Sequence, residues 1–81
     1  MGKQLERDIQ ARIIKRYKEQ GYMVVKMMLT NSPGFPDLMV LKNGVARFVE
    51  VKRPNEKPRP LQLFRIKQLK EIGFNVLVVS E

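Results

Sequence analysis

The sequence contains no cysteine and no histidine, and each absence excludes a class of chemistry. Without cysteine the chain forms no disulfide framework and offers no thiolate to a metal, which suits a reducing compartment. Without histidine it has no imidazole to bind a metal. We therefore expect any metal site in this protein to be built from oxygen ligands.

Long apolar runs are also missing from this sequence. The apolar run at residues 76–79 is far too short to cross a bilayer. Residues 1–8 are charged and lack the apolar core of a signal peptide. These features predict a soluble, cytoplasmic protein with no membrane partner.

Acidic residues are scarce beside basic ones, with 8 Asp and Glu against 16 Lys and Arg and a formal net charge of +8. A solubilising surface usually mixes both signs, so this imbalance favours a polyanionic partner, nucleic acid above all. Charge does not distinguish DNA from RNA. With 81 residues the chain can form one modest core, so we expect a single domain over residues 1–81 and suspect self-association.

The pattern of apolar residues and turn residues predicts the order helix, strand, strand, strand, helix, strand. Apolar side chains recur every fourth residue from Leu5 to Tyr17, which is typical of an amphipathic helix, and the Asn43-Gly44 pair is typical of a hairpin. A mixed sheet with helices packed on it follows from this order. The predicted helices cover residues 4–19 and 61–72, and the predicted strands cover residues 22–29, 37–41, 45–52 and 74–80.

Two acids and a lysine stand where such a sheet would bring them together. Glu50 and Lys52 alternate along one strand and so share a face of the sheet. If Leu41 lies opposite Val45 in the hairpin, Asp37 comes close to residues 49 and 50. Two neighbouring carboxylates repel unless a cation lies between them, and oxygen ligands alone favour Mg²⁺ or Mn²⁺. The alternative is an ordinary solvent-facing Glu–Lys pair beside a loop aspartate.

The order of these motifs resembles a known nuclease superfamily. Gly34-Phe35-Pro36-Asp37, a hairpin, Glu50-Val51-Lys52 and a following helix that carries Gln62 resemble the PD-(D/E)xK nucleases. Within that superfamily they resemble the VRR-NUC family, especially its stand-alone, virus-type members, over nearly the whole chain. The resemblance implies an α/β fold of the small restriction-endonuclease-like kind, with a mixed central sheet flanked by helices in the order αβββαβ.

The same resemblance implies roles for individual residues. Asp37 and Glu50 would hold the metal together with the backbone carbonyl of Val51, and Lys52 would position the hydrolytic water. Glu6, on the first helix, would complete the metal environment directly or through water. Three basic residues near the motif are candidates for DNA contacts, namely Arg53, Lys57 and Arg59.

Two of the implied site residues have simpler interpretations that stay open here. Glu6 could serve only as an acid that favours the helix dipole, and Asp8 is a rival for its place. The resemblance places Gln62 beside the catalytic lysine and the phosphate, and its spacing from Ile66 and Leu69 aims it towards the sheet. The alternative is that Gln62 caps the first turn of its own helix.

For function, the resemblance implies a metal-dependent, structure-selective DNA endonuclease acting as a homodimer, with a Holliday (four-way) junction as its branched substrate. It also implies a virus-encoded protein that acts in the host cytoplasm. The alternative is a catalytically silent, basic nucleic-acid-binding domain. The apolar strand at residues 76–79 is predicted to be central in the sheet or at the dimer interface. We expect Tyr17 and Phe64 to belong to the core rather than to stack on bases.

Overall fold

The computed structural model describes residues 5–80, and its elements follow the order αβββαβ that the sequence predicts. The helix predicted to begin at Gln4 begins at Glu6, and Gln4 itself lies outside the described residues. The bounds of the elements are α1 Glu6–Glu19, β1 Met23–Lys26, β2 Leu38–Lys42, β3 Val45–Lys52, α2 Pro60–Glu71 and β4 Asn75–Ser80.

The sheet has four strands in the order β1-β2-β3-β4. The pairs β1–β2 and β2–β3 are antiparallel, whereas β4 returns through α2 and pairs parallel to β3, so the sheet is mixed as predicted. β1 is shorter than predicted because Lys26 already lies opposite Leu38, the first residue of β2, and later residues have no partner strand. β4 is an edge strand, which excludes the central position.

The hairpin between β2 and β3 differs by one residue from the predicted register. Lys42 pairs with Val45, and Leu41 pairs with Ala46 rather than with Val45. The turn consists of Asn43 and Gly44 alone, whose φ angles of 52° and 75° are those of a type I′ turn. This register places Asp37, which precedes β2, opposite Glu50, within the predicted range of residues 49 and 50.

The two faces of the sheet carry separate hydrophobic clusters. The face that α1 covers holds a cluster of six buried residues, and Tyr17 packs against it as expected. Phe64 does not belong to either core, because its side chain is 53% exposed. It precedes the buried Ile66 by two residues, which is about 200° around the helix, so it faces away from the sheet. The α1-face cluster comprises Ile9, Ile13, Leu38, Val40, Val49 and Val51, and the α2-face cluster comprises Phe48, Ile66, Leu69 and Val76.

Candidate active site

Asp37 is fixed at the start of β2 by hydrogen bonds from both sides. Its Oδ2 accepts a hydrogen bond from the backbone N–H of Val51 at 2.8 Å. Its carbonyl accepts one from the N–H of Met27, also at 2.8 Å. Pro36, immediately before it, is buried and fixes the backbone on the approach. The Asp37 side chain therefore lies against the end of β3, the strand next to the edge strand β4.

Gly34 allows the loop before Asp37 to cross the first turn of α2. Its φ of 82° lies in the left-handed region, which favours glycine. A Cβ atom at this position would come within 2.8 Å of the backbone oxygen of Leu61. Because backbone atoms cannot move aside as a flexible side chain can, the loop and α2 pack this closely only with glycine at position 34.

Glu50 and Lys52 project from the same face of β3 and are almost completely buried. Glu50 is 1% exposed and Lys52 is 4% exposed. The Lys52 Nζ lies 3.3 Å from the Glu50 Oε2, an ion pair without the alignment of a hydrogen bond, since neither Oε atom has a hydrogen-bond partner among the described residues. The alternative of a solvent-facing Glu–Lys pair is therefore wrong.

The electrostatics of Glu50 follow from this burial. Burial raises the pKa of Glu50 to about 7, and the negative charge of Asp37 acts in the same direction. The positive charge of Lys52 opposes both effects without cancelling them. A buried carboxylate that lacks donors and faces a second carboxylate is stabilised by a bound cation.

Glu6 joins this group from the first turn of α1. Burial raises the pKa of Glu6, the charge of Lys52 lowers it, and a side-chain hydrogen bond with Glu56 and the charge of Asp37 raise it again. These interactions place Glu6 within electrostatic reach of Asp37, just before β2, and of Lys52, at the end of β3. Asp8, the rival candidate, is 58% exposed and lies 4.0 Å from Arg7, so it faces solvent.

Glu56 is an acidic neighbour of the site that sequence reasoning missed. Its Oε1 accepts a hydrogen bond from the Arg53 N–H at 3.1 Å, and its Oε2 lies 3.3 Å from the Arg53 guanidinium. These interactions, chiefly the backbone hydrogen bond, lower the pKa of Glu56. A signal was present in Pro54-Asn55, which is typical of a type II turn: Asn55 has a φ of 67°, and the Glu56 N–H donates to the Arg53 carbonyl at 3.0 Å.

Gln62 is partly buried on the first turn of α2, and its recorded hydrogen bond is local. Its Oε1 accepts from the backbone N–H of Arg59 at 2.8 Å, which is the capping interaction left open above. Ile66 and Leu69 are buried against the sheet, as their spacing from Gln62 predicts. Of the three basic candidates, Arg53 is paired with Glu56, while Lys57 and Arg59 are exposed.

The donor set fits a hard divalent cation. Within residues 5–80 there is no group of three or more acidic side chains that could hold a metal by themselves. The site offers instead the carboxylates of Asp37 and Glu50 and a backbone oxygen. In an extended strand the N–H and C=O of one residue point to the same side, so the Val51 carbonyl faces the side from which its N–H reaches Asp37. Such oxygen donors suit Mg²⁺ or Mn²⁺.

Comparisons with known proteins identify the family of this chain. A family model described as "VRR-NUC domain" matches residues 5–80. The chain is 35% identical over 76 residues to "Putative nuclease p44" of Acyrthosiphon pisum secondary endosymbiont phage 1, an alignment that covers 93% of this chain and 82% of that protein.

Two solved structures share the fold. One, described as "VRR_NUC domain", is 38% identical, has a TM-score of 0.85 and covers 94% of this chain and 84% of its own. The other, "VRR_NUC domain protein", has a TM-score of 0.75 over 98% of this chain and 79% of its own, and at 19% identity it supports the fold alone. The family model and the phage relative match this chain in sequence, the solved structures match its fold, and this chain belongs to the VRR-NUC family of nucleases.

Proposed function

We propose that the protein is a metal-dependent endodeoxyribonuclease that hydrolyses phosphodiester bonds in branched DNA, with a four-way junction as its substrate. The observation that carries this proposal is the buried Glu50 carboxylate, which has no hydrogen-bond partner within residues 5–80 and lies beside Lys52 on the strand next to Asp37. Keeping an acid in such a position is costly unless a cation completes the site.

Each residue of the site has a defined task in this proposal. Asp37, Glu50 and the Val51 carbonyl would hold Mg²⁺ or Mn²⁺, with Glu6 acting directly or through water. The bound ion would supply a more acidic water and a positive charge beside the scissile phosphate. Lys52 orients the attacking water and stabilises the negative charge that develops on the phosphate.

Gln62 assists in this proposal by contacting the phosphate beside Lys52. In the structure its side-chain oxygen accepts from the Arg59 backbone, which leaves the amide NH₂ group as the donor available to a phosphate oxygen. Capping and phosphate contact are therefore compatible. The interpretation of Gln62 as a helix cap and its proposed assisting role use different atoms of the same side chain.

DNA as the substrate is supported by the distribution of charge around the site. The helix α2 has one acidic residue, Glu71, which lies in its last turn, so its first turn carries no acid. Lys57 and Arg59 are exposed on the connector that leads from Lys52 into that helix, and Arg53 begins it. Neutralising backbone phosphates with such residues releases counterions and drives binding. We propose that these three residues contact the DNA backbone.

We further propose that the protein acts as a homodimer that joins through β4. This edge strand has no charged residue over Asn75–Ser80, and Leu77 and Val78 are 43% and 48% exposed. The neighbouring Ile72 is 70% exposed. An uncharged apolar edge readily accepts another strand, and a second copy can pair antiparallel about a two-fold axis perpendicular to the sheet. Two active sites then suit two strands of a junction.

Three further expectations belong to the same proposal. The nuclease is a single domain over residues 1–81. It is virus-encoded, in keeping with the phage origin of one relative. It acts in the cytoplasm, which for a virus-encoded protein is that of the host. In the described part of the chain no helix is long and apolar enough to span a membrane.

Cleavage of a labelled four-way junction tests the enzymatic proposal. With Mg²⁺ or Mn²⁺ the wild-type protein should cut the junction, and chelation of the metal should stop the reaction. Glu50→Gln is the matched control, because it keeps the shape of the side chain and removes the charge. A wild-type protein that binds the junction and cuts it with neither ion is a silent binding domain, which contradicts the proposal.

Measurement of molecular mass in solution tests the dimer. Val78→Lys should convert the dimer to a monomer because it places a charge in the middle of β4. Met23→Lys is the control, since Met23 is 65% exposed on β1, the opposite edge strand. A wild-type monomer at micromolar concentration, or a dimer that survives Val78→Lys, would rule out this interface.

A further inference from the structure

The loop that leads from β1 into the site carries, near its start, two apolar side chains that are largely exposed. Met28 is 82% exposed and Leu29 is 96% exposed. They follow directly after Met27, whose N–H donates to the Asp37 carbonyl at 2.8 Å. The exposed pair therefore starts one residue beyond a backbone contact with a proposed metal ligand.

The loop is also braced on the C-terminal side of the exposed pair. Thr30 Oγ1 donates to the Ser32 carbonyl at 3.0 Å and accepts from the Ser32 N–H at 3.2 Å. The Arg65 Nε donates to the Pro33 carbonyl at 2.8 Å, and the Phe35 ring packs edge-on against Phe48 with centroids 5.3 Å apart. Because the base of the loop is held in place, the two apolar side chains project from a fixed support.

The charges around the loop indicate what these side chains would meet. Residues 23–36 include Lys26 and no acid, and the acid that follows them, Asp37, is a proposed metal ligand whose charge a bound cation would offset. The helix that braces the loop carries Arg65 and Lys67 and has no acid before Glu71. The apolar edge of β4, in contrast, has no charge of either sign. Basic residues around the loop attract a polyanion and repel a second copy of this basic chain. The loop is therefore suited to contact nucleic acid, whereas the uncharged edge of β4 is not.

We propose that Met28 and Leu29 form an apolar wedge that inserts against unstacked bases of the DNA held at the active site; this inference rests on the proposed function. Apolar side chains such as Leu and Met are used in this way by proteins that kink or open nucleic acid. Opening a base step is least costly where bases are already unpaired or poorly stacked. The wedge thus selects branch points over continuous duplex, next to the metal-binding residues.

Fluorescence of 2-aminopurine in DNA tests the wedge without any cleavage. The base analogue is placed at the branch point of a four-way junction and at the same sequence position in a continuous duplex, and binding is followed in EDTA. The test variant is Met28→Gln/Leu29→Gln. The matched control is Met23→Gln/Val45→Gln, two residues that are 65% and 51% exposed at the hairpin end of the sheet.

With wild-type protein and with the control, we expect the fluorescence of the junction to rise on binding as the base unstacks. The wedge variant should lose this rise and about tenfold in the ratio of junction affinity to duplex affinity. Its affinity for the continuous duplex should stay within about twofold of the wild-type value, because the phosphate contacts are unchanged. Leu29→Ala alone, which removes a side chain that is 96% exposed, should show the same change in part.

Three results with the wedge variant would overturn the proposal. The fluorescence rise could persist in the wedge variant, the affinity for junction and duplex could fall equally, or the wedge variant could change from dimer to monomer, which would make the loop a protein contact. Absence of any rise with wild-type protein also overturns it, even if the protein cuts DNA. Conversely, if the wild-type protein shows the rise in fluorescence but never cuts DNA, the wedge is supported and the proposed nuclease activity is contradicted.

Discussion

The two faces of the sheet are built from the same strands but are covered to different extents. On the face under α1, the six core side chains are between 0% and 2% exposed. On the face under α2, the four core side chains are between 6% and 8% exposed. β3 serves both faces, since Val49 and Val51 point into the α1 cluster while Glu50 and Lys52 lie on the other side.

This difference separates stability from chemistry within one small sheet. A closely packed apolar face contributes hydrophobic stabilisation in proportion to the area that it removes from water. A buried ion pair contributes little, because the desolvation of both charges offsets their attraction. Packing on the α1 face therefore holds the strands in register. Because the sheet is rigid, Glu50 and Lys52 stay buried on the α2 face without a full set of partners.

The largest effect should come from removing one charge on the α2 face. Asp37→Asn keeps a side-chain oxygen for the Val51 N–H and loses the carboxylate, so cleavage should fall about 10³-fold or more while DNA binding remains. Cleavage kinetics and a gel-shift assay on the same junction measure the two quantities. Cutting at the wild-type rate would show that Asp37 is not a metal ligand.

Matched truncations on the two faces should differ in their effect on stability. Ile13→Ala on the α1 face should reduce the free energy of unfolding by an amount in the upper part of the range of about 2–5 kcal/mol. The loss for Ile66→Ala on the α2 face should lie in the lower part of that range, since this side chain is nearer to solvent and its cavity can collapse or admit water. Urea unfolding of both variants gives the comparison, and equal losses would contradict it.

The metal-free protein should become less stable as the pH rises from about 4.5 to about 7. The pKa of Glu50 is raised in the folded state, so the folded state holds its proton over this interval while the unfolded chain has released it. The stabilisation is complete below the unfolded pKa and is lost as the pH approaches the folded one, with an upper limit of about 3 kcal/mol.

Urea unfolding at several pH values in EDTA measures this dependence. Glu50→Gln should remove most of it, because the amide does not titrate. Added Mg²⁺ should restore stability at the upper end of the interval, since the ion binds the charged carboxylate. A wild-type pH profile that coincides with that of Glu50→Gln would contradict the assignment of the raised pKa to this residue.

The smallest effect should distinguish the two roles of Gln62. Gln62→Glu retains an oxygen acceptor for the Arg59 N–H, whereas Gln62→Ala removes it and should lower the free energy of unfolding by about 1 kcal/mol. If Gln62 also contacts the phosphate, both variants should slow cleavage while only Gln62→Ala loses stability. Cleavage by Gln62→Glu at the wild-type rate would leave Gln62 with the capping role alone.

Local pattern was sufficient for much of the fold and for the centre of the site. The four-residue spacing of Ile9 and Ile13 predicted the face of α1 that packs on the sheet. The alternation of Glu50 with Val51 correctly predicted that they point to opposite faces of the sheet. The hairpin register was missed by one residue because the type I′ turn uses only Asn43 and Gly44. That error was tolerable for the site, since Asp37 still lies at the end of the β2–β3 pair.

Other features depended on contacts between distant parts of the chain. Phe64 was misplaced in the core because its helix is apolar on more than one side, and only packing against the sheet selects the face that is buried. Glu56 was missed because its role depends on a turn that folds the connector back towards Glu6. The edge position of β4 could not be predicted either, because its apolar sequence does not show which strands lie beside it.

By itself the sequence determined the order of elements, the basic surface and the restriction of any metal site to oxygen ligands, because periodicity, charge and residue type are local properties. Only the tertiary structure decided that Glu50 and Lys52 are buried together, that Glu6 reaches them and that Met28 and Leu29 stay exposed. Burial depends on which segments pack over a residue. The Gly34-Phe35-Pro36-Asp37 and Glu50-Val51-Lys52 motifs become one site only when long-range packing brings the end of β3, the start of β2 and the first turn of α1 together.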